Sequence, residues 1–269
     1  MPGWDGTIAD YRVLAEHLRA HGYAVYGSEQ ATGVHDPVAK RRGHPRHWHE
    51  WVRDLQDFTS FVAQRHPRLP IFYHGHSFGT LVAAQTTAAA KVAHRPAGLI
   101  LQSVAMPFLI ERESALADVF MGAASWMRVP HLALIEATGR GPTGDATLNC
   151  QWLRSEDRLR IGYKVGYFHE AAKLGHQVWQ TSQKLTLPVL ALEGERDNVV
   201  APKPADKARY HRFLSERLRG GQADVLPYPD GYHTMTITPT GNPALNRTTE
   251  KVLRDITHWL DRQTAAARR

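Results

Sequence analysis

Ser77 lies in the pentapeptide Gly75-His76-Ser77-Phe78-Gly79, between the run Ile71-Phe72-Tyr73-His74 and the helix-favouring stretch from Leu81 to Ala90. Serine becomes a usable nucleophile only when an adjacent base takes its proton and a third group orients that base. A strand running into a helix through a strained turn would present such a serine, with glycines on either side where backbones pass closely. The same order puts the Phe78 N–H at a helix N-terminus, where developing negative charge is favoured, so Phe78 is a candidate oxyanion donor. Chance alone would produce about 0.05 Gly-x-Ser-x-Gly pentapeptides at this composition, so context has to decide. Two later loops supply it. The apolar run Val189-Leu190-Ala191-Leu192 ends at Glu193, with Asp197 in the loop four residues on, and His233 follows Val225-Leu226-Pro227-Tyr228-Pro229. A nucleophile, an acid and a base thus occur in the order Ser77, Asp197, His233, each just past an apolar run.

Rival roles exist for each. Asp197 could cap the segment starting near Pro202, and Glu195 is a neighbouring carboxylate. His233 could simply be a loop histidine, but His211 and His258 fall inside helical patterns and compete poorly as the base. His76 adjoins the serine in sequence and is expected to serve packing or hydrogen bonding.

These residues need a scaffold. Tyr11, Leu14 and Leu18 recur at helical spacing over Thr7–His21, with Gly22 as a stop. Tyr23-Ala24-Val25-Tyr26-Gly27 reads as a short buried strand. Trp48, Trp51, Leu55, Phe58 and Val62 mark a helix ending before Pro67. Strands are expected over 70–74, 97–105, 188–194 and 223–229, and helices over 78–90, 207–218 and 248–263. The last of these has its apolar face on Val252, Ile256, Trp259 and Leu260. Alternating apolar strands and amphipathic helices predict one α/β domain over 1–269, with a mostly parallel sheet covered on both faces. Sites in such sheets form beyond the carboxyl ends of the strands. Residues 106–185 break the alternation. They carry apolar, helix-compatible sequence without a convincing strand and are expected to form a helical cap over the site. Within it, Phe108, Leu109, Phe120, Met121, Trp126 and Met127 are candidate substrate contacts.

Composition narrows the remaining classes. A net charge of +7 could suggest nucleic acid, but the basic residues are scattered without interleaved aromatics, so no nucleic-acid partner is expected. No apolar run approaches 18 residues, so no integral membrane segment is expected. The amino terminus lacks the plan of a signal peptide. The single cysteine, Cys150, excludes an internal disulfide and a cysteine-based zinc site, fits a reducing compartment, and reads as a small apolar residue. His44, His47 and His49 lack metal-ligand spacing, and neither a metal nor another cofactor is expected. A cytoplasmic protein follows if the natural chain starts at Met1.

Taken with the segments "DYRVLAEHLRAHGYAVYG", "HGHSFGTLVA", "LEGERDNVV" and the late "GYH", these residues resemble the monoacylglycerol lipase / lysophospholipase branch of the serine α/β-hydrolases. The resemblance covers nearly the whole chain. It implies the α/β-hydrolase fold and hydrolysis of a small-molecule acyl ester, a monoacylglycerol, lysophospholipid or similar compound, through an acyl-enzyme. Ser77 would attack, His233 shuttle the proton, and Asp197 hold the imidazolium. Two departures stand out. Relatives carry strands ahead of a first oxyanion loop ending in His-Gly, whereas this chain begins Met1-Pro2-Gly3-Trp4, which leaves the Trp4 N–H as the second donor. Either the chain starts inside a longer natural protein, or the sheet lacks its leading strands. The second departure is "GSEQATGVHD", where relatives carry an Asp-x-Arg-Gly-His-Gly-x-Ser turn. An acyltransferase or peptidase on the same triad, and a non-catalytic scaffold of this fold, are the alternative functions.

Overall fold

Four parallel strands form the central sheet: β1 (Phe72–His76), β2 (Gly98–Gln102), β5 (Val189–Gly194) and β6 (Ala223–Tyr228), in the order β1-β2-β5-β6. The computed structural model describes the chain apart from residues 5, 31, 34, 38–41, 44, 90–93, 106–118, 120, 121, 130–140, 142, 154–162, 201–203, 219–222, 268 and 269. Side chains alternate across the sheet as the strand repeat demands. Leu99, Leu101, Val189 and Ala191 face one layer, and Ile100, Leu190 and Leu192 face the other.

On the first face lie α2 (His49–Arg65), α3 (Phe78–Ala88) and α5 (Val165–Thr181). The small residues of α3 let it sit deep, and every position from Phe78 to Thr87 is buried. On the second face, α1 (Arg12–Ala20) contributes Leu14 and Leu18, and α7 (Pro243–Ala267) contributes Val252, Leu253, Ile256, Trp259 and Leu260. Each such side chain contributes about 1.5–3 kcal/mol when removed from water, which makes this apolar stripe the main attachment of α7 to the sheet. The expected arrangement, a parallel sheet covered on both faces, is therefore what the chain forms.

Three local expectations fail. Residues 23–27 form no strand, and Val25 and Tyr26 are 42% and 40% exposed. A strand needs a neighbour, and the outer edge of β1 is engaged at Met1 instead. The Met1 ammonium donates to His74 O at 2.7 Å, and the His76 N–H donates to Met1 O at 3.1 Å. The 106–185 segment is not strand-free, because β3 (Arg128–Val129) pairs antiparallel with β4 (Tyr163–Lys164). Its final helix, α5, lies against α3 and not apart from the sheet. Tyr167, Ala171, Leu174 and Val178 share one core with Phe78 and Leu81, and Thr181 Oγ1 donates to Gln85 Oε1 at 2.7 Å. Aromatic and aliphatic residues at helical spacing look alike whether they pack on a sheet or within a cap. Between the ribbon strands, α4 (Ala146–Leu153) carries Cys150; α6 (Pro204–Arg212) precedes β6. Among the described residues, no helix is long and apolar enough to cross a membrane.

Candidate active site

β1 runs directly into α3, and Ser77 is the residue between them. Its φ of 50° and ψ of −124° lie in a region that costs a non-glycine residue on the order of 1–3 kcal/mol. Surrounding bonds hold it there. The Ser77 N–H donates to Gln102 O at 2.9 Å, and Ser77 O accepts from the Thr80 N–H at 2.9 Å and from Thr80 Oγ1 at 2.5 Å. The glycines answer to crowding. A Cβ on Gly75 would stand 2.6 Å from Gly79 O and 2.8 Å from Thr80 Cα, and one on Gly79 would stand 2.5 Å from Pro2 O. Backbone atoms cannot yield as flexible side chains do. Gly75→Ala is therefore expected to destabilise the protein by roughly 3 kcal/mol, a fall of about 6–12 °C in a thermal melt at this size. An unchanged melting temperature would contradict the close approach.

The other two predicted members meet at the carboxyl ends of β5 and β6. His233 Nδ1–H donates to Asp197 Oδ2 at 2.9 Å, and both side chains are buried. Asp197 Oδ1 accepts the N–H groups of Val199 at 2.9 Å and Val200 at 3.1 Å. The loop-capping bonds and the bond from His233 thus fall on different oxygens of one carboxylate. Burial alone would push Asp197 up; the adjacent His233 and the hydrogen bonds from His233, Val200 and Val199 outweigh it, and the net direction is down. Glu195 is exposed and Asp197 is not, which removes the rival acid. Gly194 lets the two loops touch, since a Cβ there would lie 2.6 Å from Tyr232 O and 2.7 Å from Gly231 O.

His233 sits beside the strained turn at Ser77. Its ring centroid is 4.8 Å from that of His76, and its carbonyl accepts from His76 Nε2 at 2.9 Å and from Ser103 Oγ at 2.8 Å. Because a carbonyl only accepts, His76 carries its proton on Nε2, a tautomer assigned from these bonds. Its Nδ1 then accepts from Tyr11 O–H at 2.7 Å, and Tyr11 Oη accepts from the Gly3 N–H at 3.2 Å. Burial, with His233 adjacent, holds the His76 imidazole well below its ordinary value, consistent with a neutral link. A directed chain of hydrogen bonds therefore joins the Met1–Trp4 segment to the loop bearing His233.

Ser77, Asp197 and His233 are each buried, at 6%, 4% and 5% exposure, at one end of the sheet. Phe78 opens α3, at the positive end of that helix. Gly3 packs on the serine: a Cβ there would lie 3.3 Å from Ser77 Cβ and 3.8 Å from its Oγ. Trp4 follows, its ring 4.7 Å from Tyr163 and its carbonyl accepting from Tyr163 O–H at 2.6 Å. Of the cap candidates, Phe108, Leu109, Phe120 and Met121 lie outside the described residues. Trp126 and Met127 are 73% and 49% exposed, so neither is enclosed as an acyl contact. A short ribbon end leaves its neighbours in solvent. Tyr11, Ser103 and Thr80 were not picked out from the sequence. A tyrosine on an otherwise apolar stripe is the one available signal, because a buried hydroxyl needs a partner. Among the described residues, no group of three or more His, Cys, Asp or Glu could hold a metal ion.

Known proteins share this frame. The chain is 28% identical to the monoglyceride lipase of Homo sapiens over 228 residues, which are 82% of this chain and 68% of that protein. It is 25% identical over 264 residues to the monoacylglycerol lipase of Mycolicibacterium smegmatis, covering 96% and 85% of the two chains. A soluble variant of the monoglyceride lipase from Saccharomyces cerevisiae superposes with a TM-score of 0.72 at 17% identity, covering 98% of this chain and 86% of that one. At that identity the likeness establishes the α/β-hydrolase fold alone. A family model described as serine aminopeptidase, S33, matches residues 1–239, and the chain belongs to that family of serine α/β-hydrolases.

Proposed function

We propose that the chain hydrolyses carboxylic esters of the monoacylglycerol type through an acyl-enzyme on Ser77, His233 and Asp197. The observation that carries this reading is the buried 2.9 Å His233–Asp197 bond beside a serine held at positive φ. Similarity to monoglyceride lipases supports the substrate class. Asp197 accepts a hydrogen bond from Nδ1–H, which keeps that proton on Nδ1 and leaves the His233 Nε2 lone pair as the base. Ser77 Oγ attacks the ester carbonyl carbon while Nε2 takes its proton, and the carbonyl electrons move onto oxygen. The N–H groups of Phe78 and Trp4 hold that oxyanion. Collapse breaks the carbon–oxygen bond, and the departing alcohol takes the proton from Nε2. Water then attacks the acyl-Ser77 carbonyl with its proton passing to Nε2, and the carboxylic acid leaves as Ser77 regains its hydrogen.

The family's description favours one rival, cleavage of aminoacyl amides on the same residues. The test compares kcat/KM for monoacylglycerols of graded chain length with that for aminoacyl p-nitroanilides. Monoacylglycerols are expected to be preferred by at least about a hundredfold, given how strongly a site discriminates by its transition-state contacts. Faster turnover of the anilides would overturn the substrate class. No turnover of either would favour a non-catalytic scaffold, and alcohols outcompeting water for the acyl group would favour an acyltransferase.

A further inference from the structure

Gln30 lies in the "GSEQATGVHD" segment where the family resemblance lapses, yet its side chain is only 5% exposed and every polar atom of it is engaged. Nε2 donates to Pro2 O at 2.9 Å and to Gly3 O at 2.8 Å, while Oε1 accepts from Tyr167 O–H at 3.0 Å. A carboxamide has two N–H donors. Here both go to consecutive carbonyls of the segment that packs on Ser77. The anchor behind it is stiff. Tyr167 is fully buried, with its ring centroid 5.2 Å from that of Trp51 and 5.6 Å from that of Phe78. Gly3 O also accepts from the Gly6 N–H at 3.1 Å, and Tyr163 O–H holds Trp4 O. Pinning both carbonyls leaves the intervening peptide little freedom, despite the glycine.

The geometry points to Gln30 as a positioning residue that sets the direction in which the Trp4 N–H is presented to the oxyanion. In a trans peptide the N–H points opposite to the preceding C=O. Fixing the Gly3 carbonyl on Gln30 therefore turns the Trp4 N–H away from Gln30, on a peptide whose Gly3 Cα abuts Ser77. A donor of this kind contributes to rate only if it is aimed before charge develops. The hydrogen bonds of Gln30 go to Pro2, Gly3 and Tyr167 and not to Ser77, so it would act through the peptide it holds. Its role rests on the ester-hydrolase reading above, and it adds a residue to which neither the catalytic motif nor the family resemblance points.

The test compares the parent with Gln30→Glu, which keeps the size and the acceptor for Tyr167 but loses the paired donors at pH 8. Each is assayed on one short-chain p-nitrophenyl ester and titrated with an alkyl trifluoromethyl ketone, whose serine adduct carries the tetrahedral oxyanion. The variant is expected to lose about ten- to a hundredfold in kcat/KM, most of it in kcat with KM within twofold, less than the roughly 10²–10³-fold for outright removal of one oxyanion donor because the Trp4 N–H is misaimed and not removed. The inhibition constant for the ketone should rise by the same factor. A merely structural glutamine would lower the melting temperature without that parallel. If Gln30→Glu does not fold, Tyr167→Phe removes only the supporting hydroxyl and should show the same proportion between rate and ketone affinity at a smaller size. An active parent whose folded variants keep both quantities within twofold overturns the role of Gln30 alone. A parent that neither hydrolyses the ester nor binds the ketone overturns the underlying reading and the proposal with it.

Discussion

Replacing Ser77 by alanine is expected to lower kcat for ester hydrolysis by roughly 10⁶-fold while leaving the protein folded. The size follows from how the groups are joined. With Oγ gone there is no acyl-enzyme, and the Asp197–His233 pair has no hydroxyl proton to take, so its contribution disappears together with the nucleophile's. What remains, about 10³–10⁴ over water, would come from binding and from oxyanion donors acting on direct attack by water. Stability should hardly change. The positive φ of residue 77 is imposed by bonds to Gln102 and Thr80 that involve its backbone, and alanine keeps those atoms. Steady-state rates with a thermal melt check both halves. A loss below about tenfold in a folded variant would mean that the nucleophile is elsewhere.

Asp197→Asn is expected to cost about 10⁴-fold in kcat with KM little changed. The reason is a tautomer. The carboxylate at 2.9 Å compels His233 to carry its proton on Nδ1, whereas an amide in the same place can donate to Nδ1 and shift that proton to Nε2, where it blocks the base. The substitution also has a pH signature. The folded-state value of Asp197 lies below its ordinary 3.8, so the unfolded chain binds this proton more readily than the folded one. The resulting stabilisation is fully present above about pH 4 and is lost as pH falls through the lower, folded-state value. Melting curves should therefore show the parent above Asp197→Asn at neutral pH, with the gap closing in acid. A gap that widens as pH falls would reverse the assigned direction.

The three proposed catalytic residues stand out in the sequence because each sits at a sharp boundary in pattern: an apolar strand run, then a turn, then a polar or helical segment. Ser77, Asp197 and His233 all follow that rule, and the sheet order places them at one end. Tyr11 and Gln30 follow no such rule. Tyr11 looked like one more position on an apolar helix face, and its hydroxyl partner, His76, is 65 residues away in sequence. Gln30 is a polar residue in a loop, and only the fold reveals that Pro2 and Gly3 lie beneath it. The 23–27 segment misled because valine and tyrosine favour strands, yet strand formation depends on a pairing edge that Met1 already engages. Trp126 and Met127 are exposed for a different reason, since apolar character alone does not say whether a residue will face water.

The turn at Ser77, the His233 loop and the Met1–Trp4 segment are also mechanically joined. Gly3 reaches His233 through Tyr11 and His76, and reaches the α5 core through Gln30 and Tyr167. The Met1–Trp4 segment and the His233 loop are thus tied together through Tyr11, His76, Gln30 and Tyr167, of which all but the half-buried Tyr11 are buried. Such a network favours a preorganised site over one assembled on substrate binding.

The most direct measurement is covalent labelling with an alkyl fluorophosphonate, which loses fluoride to an activated serine oxygen, followed by intact mass and peptide mapping. One adduct per chain on Ser77, formed at the rate at which ester hydrolysis is lost, is the predicted result. Complete labelling at another residue with loss of activity, or full ester hydrolysis with Ser77 unmodified, would contradict it.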